Sequence, residues 1–246
     1  MIPKIAVQLY TVREECQEDF VGTLEKVAAL GYEGVELAGT YGLSSEVLKN
    51  HLNRLQLEVV GHHIMLEALE DDLEEVIAYN KAIGNDVIIC PWATWDTEEE
   101  LRHLADRLNT IGKRLEAVGL TFLYHNHHHE FEKIGDMYGL DLLFQLTRES
   151  HMLMELDTHW VKRAGLEVLP YMDANGSLIR RIHIKDMQEL DGEMTFAAIG
   201  EGFMDIPAIL KKAEAINCPW AIVENDQPQP DGMTNITQSI QYLQSL

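Results

Sequence analysis

The sequence predicts an α/β chain folded as a single (β/α)8, or TIM, barrel over residues 1–246. Three observations lead there. Short apolar, β-branched runs alternate with longer amphipathic segments, and eight such pairs fill the chain. No linker or low-complexity stretch interrupts the alternation. After the first strand the chain reads "TVREECQED", without the glycine-rich loop expected of a doubly wound open sheet, the other architecture built from repeated strand–helix units.

The strands are expected at "KIAVQLY" (4–10), "GVELA" (34–38), "LEVVGHH" (57–63), "DVIIC" (86–90), "TFLYHNH" (121–127), "HMLMELD" (151–157), "IRRIHIK" (179–185) and "WAIVEN" (220–225). Between them apolar residues recur with helical period, most clearly in "DFVGTLEKVAAL" (19–30) and "EEELRHLADRLNTIGKRLEAV" (98–118). Gly31, Gly84 and Gly119 stand where helix C-caps belong.

At 46% hydrophobic and 24% charged, the 246 residues have an ordinary globular composition, with apolar content for a large core. The opening "MIPKIAVQLYTV" reads as a strand and not as a signal peptide, since no basic region precedes a long apolar run. No run reaches the ~18 apolar residues of a membrane span. Cys16, Cys90 and Cys218 lack metal-ligand spacing and read as free thiols, with a reducing, cytoplasmic location expected. A formal charge of −22 repels a phosphate backbone, so no nucleic-acid partner is expected.

In such a barrel, chemistry lies at the C-terminal ends of the strands. Those ends carry Glu36, His62 and His63, Trp92, the tract "FLYHNHHHEF" (122–131), Asp157, His183 with Lys185 and Asp186, and Glu224. Barrel stability requires no polar groups there, so their convergence points to a divalent cation. Side chains alternate along a strand, which puts His125 with His127, Glu155 with Asp157, Arg181 with His183 and Lys185, and Ile222 with Glu224. One consistent choice turns His125, Asp157, His183 and Glu224 inward. Two imidazoles and two carboxylates suit one Mn, Zn, Co or Fe ion better than calcium. Glu130 has three readings: it orients a ligand histidine, binds substrate, or is itself the fourth ligand in place of His125. His51 and His103 read as solvated helix residues, and His128 and His129 as loop residues past the strand end.

The ordered set "GYEGVEL", "VVGHH", "YHNH", "ELDTHW", "IHIKDM", "GEG…D" and "VEND" resembles the xylose isomerase-like barrel superfamily of sugar phosphate isomerases and epimerases, across essentially the whole chain. The resemblance implies metal ligands after strands five to eight. Asp157, His183 and Glu224 match the last three positions; His125-Asn126-His127 stands where the commoner pattern has Glu-Asn-His or Glu-Pro. In the family's ketose epimerases two glutamate ligands straddle the substrate and exchange a proton with its carbon. Here Glu224 alone remains of that pair, and His127 or Glu130 takes the second role. The run His183-x-Lys185-Asp186 resembles the branch containing inosose dehydratases and enzymes of 3-keto sugars.

The implied function is a divalent-metal-dependent sugar or keto-polyol isomerase or epimerase working through an enediolate. Glu224, His127 and Lys185 would be catalytic, and Glu36, His63, Trp92, Glu130, Trp160 and Lys185 would line the sugar site. A lyase acting on an inosose or 3-keto sugar is the alternative, which Lys185 and the missing second glutamate favour. A non-catalytic sugar-binding barrel is a more distant one. The superfamily's three-metal DNA endonucleases need a basic face that this chain lacks. The expected partner is a small sugar or polyol, with no membrane association, and the family's frequent dimers and tetramers leave a homo-oligomer open.

Overall fold

Eight parallel strands close on one another in a computed structural model that describes residues 2–246. They are β1 (Lys4–Gln8), β2 (Gly34–Leu37), β3 (Glu58–His63), β4 (Val87–Cys90), β5 (Thr121–His125), β6 (Leu153–Asp157), β7 (Ile179–Ile184) and β8 (Trp220–Val223). Each pairs with its sequence neighbours, and β1 pairs with β8 to close the barrel, Val7 facing Val223. All eight expected strands form. Several stop one or two residues early, at His125, Ile184 and Val223.

Alternation sorts the residues. Val7, Val35, Leu37, Tyr124, Leu156, Ile182 and Ile184 face the surrounding helices and join the large core between barrel and helices. Ala6, Val60, Trp220 and Ile222 form one small apolar cluster, and Val87, Ile89 and Leu123 another, which fill the lower barrel. Above them the interior turns polar, with Gln8, Glu36, Glu155, Arg181, His125 and His183 all buried.

Two register shifts set this polar layer. Val35 pairs with Val59 but Glu36 with Gly61, so Val60 is an extra residue. Met154 likewise pairs with Ile179 and Glu155 with Arg181, skipping Arg180. The first bulge decides which histidine of the pair enters the barrel: His63 turns in, while His62 turns out and its Nδ1 lies 3.0 Å from Asn80 Oδ1. A Cβ at Gly61 would lie 2.4 Å from Ile89 Cδ1, so any larger residue at the bulge forces that side chain to shift.

The helix expected from residue 19 begins earlier, spanning Arg13–Leu30, but its backbone breaks at Asp19 (φ −152°, ψ 89°). Asp19 Oδ1 accepts from Gly22 N at 2.9 Å, so Asp19 caps the second segment from inside. The helix Glu98–Glu116 starts on a capping box of Thr97 and Glu100. Gly31 and Gly84 are left-handed C-caps as expected, and Gly119 (φ 80°) lies in the turn just past its helix. Two short hairpins, Lys133–Ile134 with Met137–Tyr138 and Asp186–Leu190 with Glu193–Ala197, rise from the rim loops. The second turns through Asp191-Gly192, both at positive φ, an Asp-Gly turn signal within the sequence. Among the described residues no helix is long and apolar enough to cross a membrane.

Candidate functional site

A cleft of about 440 Å³ opens at the C-terminal end of the barrel, lined by Tyr10, His63, Trp92, His125, His127 and Glu224 among others. Its floor is the upper polar layer. His125, Asp157, His183 and Glu224, from the ends of β5, β6, β7 and β8, offer one ligand atom each within 4.8 Å of one another, and all four are buried. His125 Nε2 lies 3.7 Å from Asp157 Oδ2, and His183 Nδ1 lies 2.7 Å from Glu224 Oε2. Asp157 also caps the helix Thr158–Arg163, its Oδ1 accepting from Trp160 N, while Oδ2 makes no aligned hydrogen bond. A cluster of two imidazoles and two carboxylates, buried and with acceptor capacity left over, fits a divalent transition metal.

Lys185 stands beside this cluster with its side chain almost wholly buried. Its Nζ lies 2.9 Å from Asp157 Oδ2, 2.7 Å from Glu224 Oε2 and 2.8 Å from Asp226 Oδ2. Burial alone would drive the proton off, but the three carboxylates outweigh it and hold the ammonium well above its usual range. Burial would likewise raise Glu224, yet Lys185 and His183 hold its carboxyl well below the usual range. For Asp157 burial wins over Lys185 and His183, and the carboxyl is pushed up to about 6.

A second layer lies below. His63 Nε2 contacts Glu36 Oε2 at 2.5 Å and Glu155 Oε2 at 2.7 Å. His183 Nε2 lies 3.2 Å from Glu36 Oε2 and 3.3 Å from Glu155 Oε2. Against the cost of burial, these carboxylates hold His63 up to about 9 and His183 well above its usual range. His63, His125, Glu155 and His183 form a second set whose ligand atoms lie within 4.8 Å of one another.

The remaining expected residues divide. His127 lines the cleft, its ring 4.5 Å from Trp92 and 5.6 Å from Trp160, and burial followed by Lys185 pushes it down to about 2, which favours the uncharged ring. Trp92 is half exposed on the cleft wall. Glu36 lies in the lower layer and Glu130 behind the wall, both fully buried, away from the open cleft. Glu130 Oε2 accepts from His127 N at 2.8 Å and Oε1 from Tyr124 Oη at 3.1 Å, so this carboxyl braces the loop that carries His127. Burial pushes it up to about 8. His129 Nε2 meets Ala93 O at 2.9 Å, tying the loops after β4 and β5 together.

Two participants were not singled out from sequence. Asp226 lies two residues beyond Glu224, where strand alternation carried past the strand end would have found it. Glu155 shares the Asp157 face, but it lies one layer deeper than the strand end.

The family model for the xylose isomerase-like TIM barrel matches residues 24–246. An inosose dehydratase from Clostridium beijerinckii is 24% identical over 250 residues, covering 86% of this chain and 83% of that protein. A sugar phosphate isomerase/epimerase from Parabacteroides distasonis superposes with a TM-score of 0.85 at 23% identity, over 99% of this chain and 98% of that one. The 3-keto-D-glucoside 4-epimerase of E. coli superposes with a TM-score of 0.79 at 14% identity, over 99% of this chain and 100% of that one. At these identities the superpositions speak for the fold, and the closed eight-stranded barrel agrees with the family match. With nine-tenths of its length matched and its barrel closed as the family requires, the chain belongs to the xylose isomerase-like TIM barrel family.

Proposed function

We propose that this chain is a divalent-metal-dependent enzyme that removes the proton next to the carbonyl of a sugar or keto-polyol, giving an enediolate whose β-hydroxyl is then expelled as water. The observation that carries this reading is the 2.7 Å contact between Glu224, which lines the cleft, and Lys185, buried behind it. His125, Asp157, His183 and Glu224 would hold the ion, which when bound supplies the Lewis acidity that polarises the carbonyl.

Glu224, kept ionised by Lys185 and His183, is the base for the adjacent C–H. Lys185, kept as an ammonium, sets a fixed positive charge beside the negative charge that develops on the substrate oxygens. The proton that Glu224 takes from carbon leaves with the departing hydroxyl as water, so the pair is restored after each turnover. His127 and Trp92 form the wall against which the ring of the substrate packs, with Trp160 behind His127. His63 lies at the foot of that wall, ion-paired below to Glu36 and Glu155.

The arrangement supports dehydration over two-base epimerisation. Epimerisation needs a proton donor on the far face, and His127, the group placed for it, is held neutral by burial. The similarity to inosose dehydratases points the same way. Isomerisation is the second reading. It is favoured because Glu224 alone can return the proton to the neighbouring carbon on the same face.

Candidate inososes and keto sugars, incubated with metal-loaded protein in deuterated water, test the proposal. The expected result is growth of an enone absorbance, with deuterium at the carbon next to the carbonyl only in recovered substrate, because elimination leaves that carbon of the product without its hydrogen. Deuterium exchange without the enone moves the reading to isomerisation. Absence of both enone growth and exchange with every keto-polyol and keto sugar, with Mn, Zn, Co and Fe each supplied, overturns it.

A further inference from the structure

Each imidazole of the upper cluster faces two ways. His183 turns Nδ1 up to Glu224 Oε2 at 2.7 Å and Nε2 down to Glu36 and Glu155 at 3.2 and 3.3 Å. His125 turns Nε2 toward Asp157 Oδ2 at 3.7 Å and Nδ1 toward Glu155 Oε2 at 3.2 Å. A neutral imidazole has one lone pair and one N–H, so whatever fixes the proton fixes which nitrogen is left for an ion. The downward nitrogens of both rings converge on a single oxygen, Glu155 Oε2, which also lies 2.7 Å from His63 Nε2.

We infer that Glu155, assisted by Glu36, is a positioning residue that holds the N–H of both histidines downward, leaving His183 Nδ1 and His125 Nε2 for the ion. The inference rests on the function proposed above. Glu155 is fully buried and does not line the cleft, so it reaches a substrate only through these rings. Its Oε1 and Glu36 Oε1 have no hydrogen-bond partner, so each carboxylate keeps accepting capacity for the N–H groups above it. His125 Nδ1 also lacks an aligned partner, and a small ring rotation would bring its N–H onto Glu155. The pair is itself held from the sides and below. Gln8 Nε2 donates to Glu36 Oε2 at 2.9 Å, and Arg181, whose Nε donates to Val60 O across the barrel at 3.1 Å, brings positive charge beneath both carboxylates. Partners of this kind, which orient a ligand imidazole through its other nitrogen, typically contribute about 10- to 100-fold in metal affinity.

The competing arrangement is a second ion. His63, His125, Glu155 and His183 are close enough to hold one, but it would need the same downward nitrogens stripped of their protons.

The test is a long-range ¹H–¹⁵N imidazole spectrum of the zinc-loaded full chain, with ring signals assigned through His125→Gln and His183→Gln. Zinc affinity is measured alongside, by chelator competition, for wild type and Glu155→Gln. The inference expects protons on His183 Nε2 and His125 Nδ1, and zinc bound about 10- to 100-fold more weakly by Glu155→Gln. The spectrum needs no variant at Glu155, so it decides even if Glu155→Gln does not fold. The opposite tautomers overturn the inference. So do two zinc ions per chain with both downward nitrogens unprotonated, or a folded Glu155→Gln that binds zinc as wild type does. Failure of wild type to bind any divalent ion overturns the proposed function itself, and this inference with it.

Discussion

A lysine without exposed surface needs a reason, because an ammonium is costly to bury unless carboxylates surround it. Lys185 has three, Asp157, Glu224 and Asp226. Replacing it with methionine leaves these acids crowded without their cation. Lys185→Met is therefore expected to lose about 3–5 kcal/mol of stability, read from urea unfolding. Glu224→Gln keeps the shape but removes the base, and deuterium exchange into substrate should fall by about 10²–10⁴-fold with the fold intact. Glu130 gives a pH signature of its own. Its folded value of about 8 stands above the ordinary 4.5, because burial favours the neutral carboxyl. Between those values the folded chain keeps a proton that the unfolded chain releases. The contribution is fully present below pH 4.5 and is lost as the pH rises through 8. Glu130→Gln is neutral throughout. Its stability, measured by urea midpoints across this window, should fall less with rising pH than that of wild type.

Among the elements, β3 shows how a backbone irregularity builds a site. Its bulge at Val60 changes the parity of the strand, so His63 and not His62 meets Glu36 and Glu155. Gly61→Ala drives a methyl group into Ile89 Cδ1 and toward Glu36 Oε1, 3.4 Å from the ideal Cβ. The expected cost is about 1–3 kcal/mol of stability, checked by thermal unfolding, with weaker metal binding as the lower layer shifts. Much of this was legible beforehand. The eight strands, the C-terminal rim and the four residues His125, Asp157, His183 and Glu224 follow from period-two alternation, which depends on local sequence alone. The two bulges do not, since an extra residue is recognised only once both partners of a pair are known. Glu155 was hidden for a related reason. Its role comes from rings on β3, β5 and β7 that meet it across the barrel, and no spacing within "HMLMELD" announces them. Glu130 leaves three readings open in sequence, and the fold turns it away from the cleft to hold the backbone of His127.

At the scale of the molecule, the barrel gathers charge unevenly. Its lower interior is packed with Ala6, Val60, Val87, Ile89, Leu123 and Ile222, whereas its upper interior holds acids, imidazoles, Arg181 and Lys185 under one cleft. Burying so many ionisable groups is unfavourable unless each finds a partner, and here the strand ends supply the partners to one another. Such an arrangement makes sense for a chain that concentrates charge where a cation and a polar substrate meet. Everything proposed for this chain requires that the ends of β5 to β8 hold one divalent ion. The most direct measurement is elemental analysis of the purified, tag-free chain after reconstitution with Mn, Zn, Co or Fe, with His125→Ala and His183→Ala beside it. About one ion per chain is expected in wild type and only a small fraction of that in either variant. Wild type without any ion, or variants that keep the full complement, would contradict it.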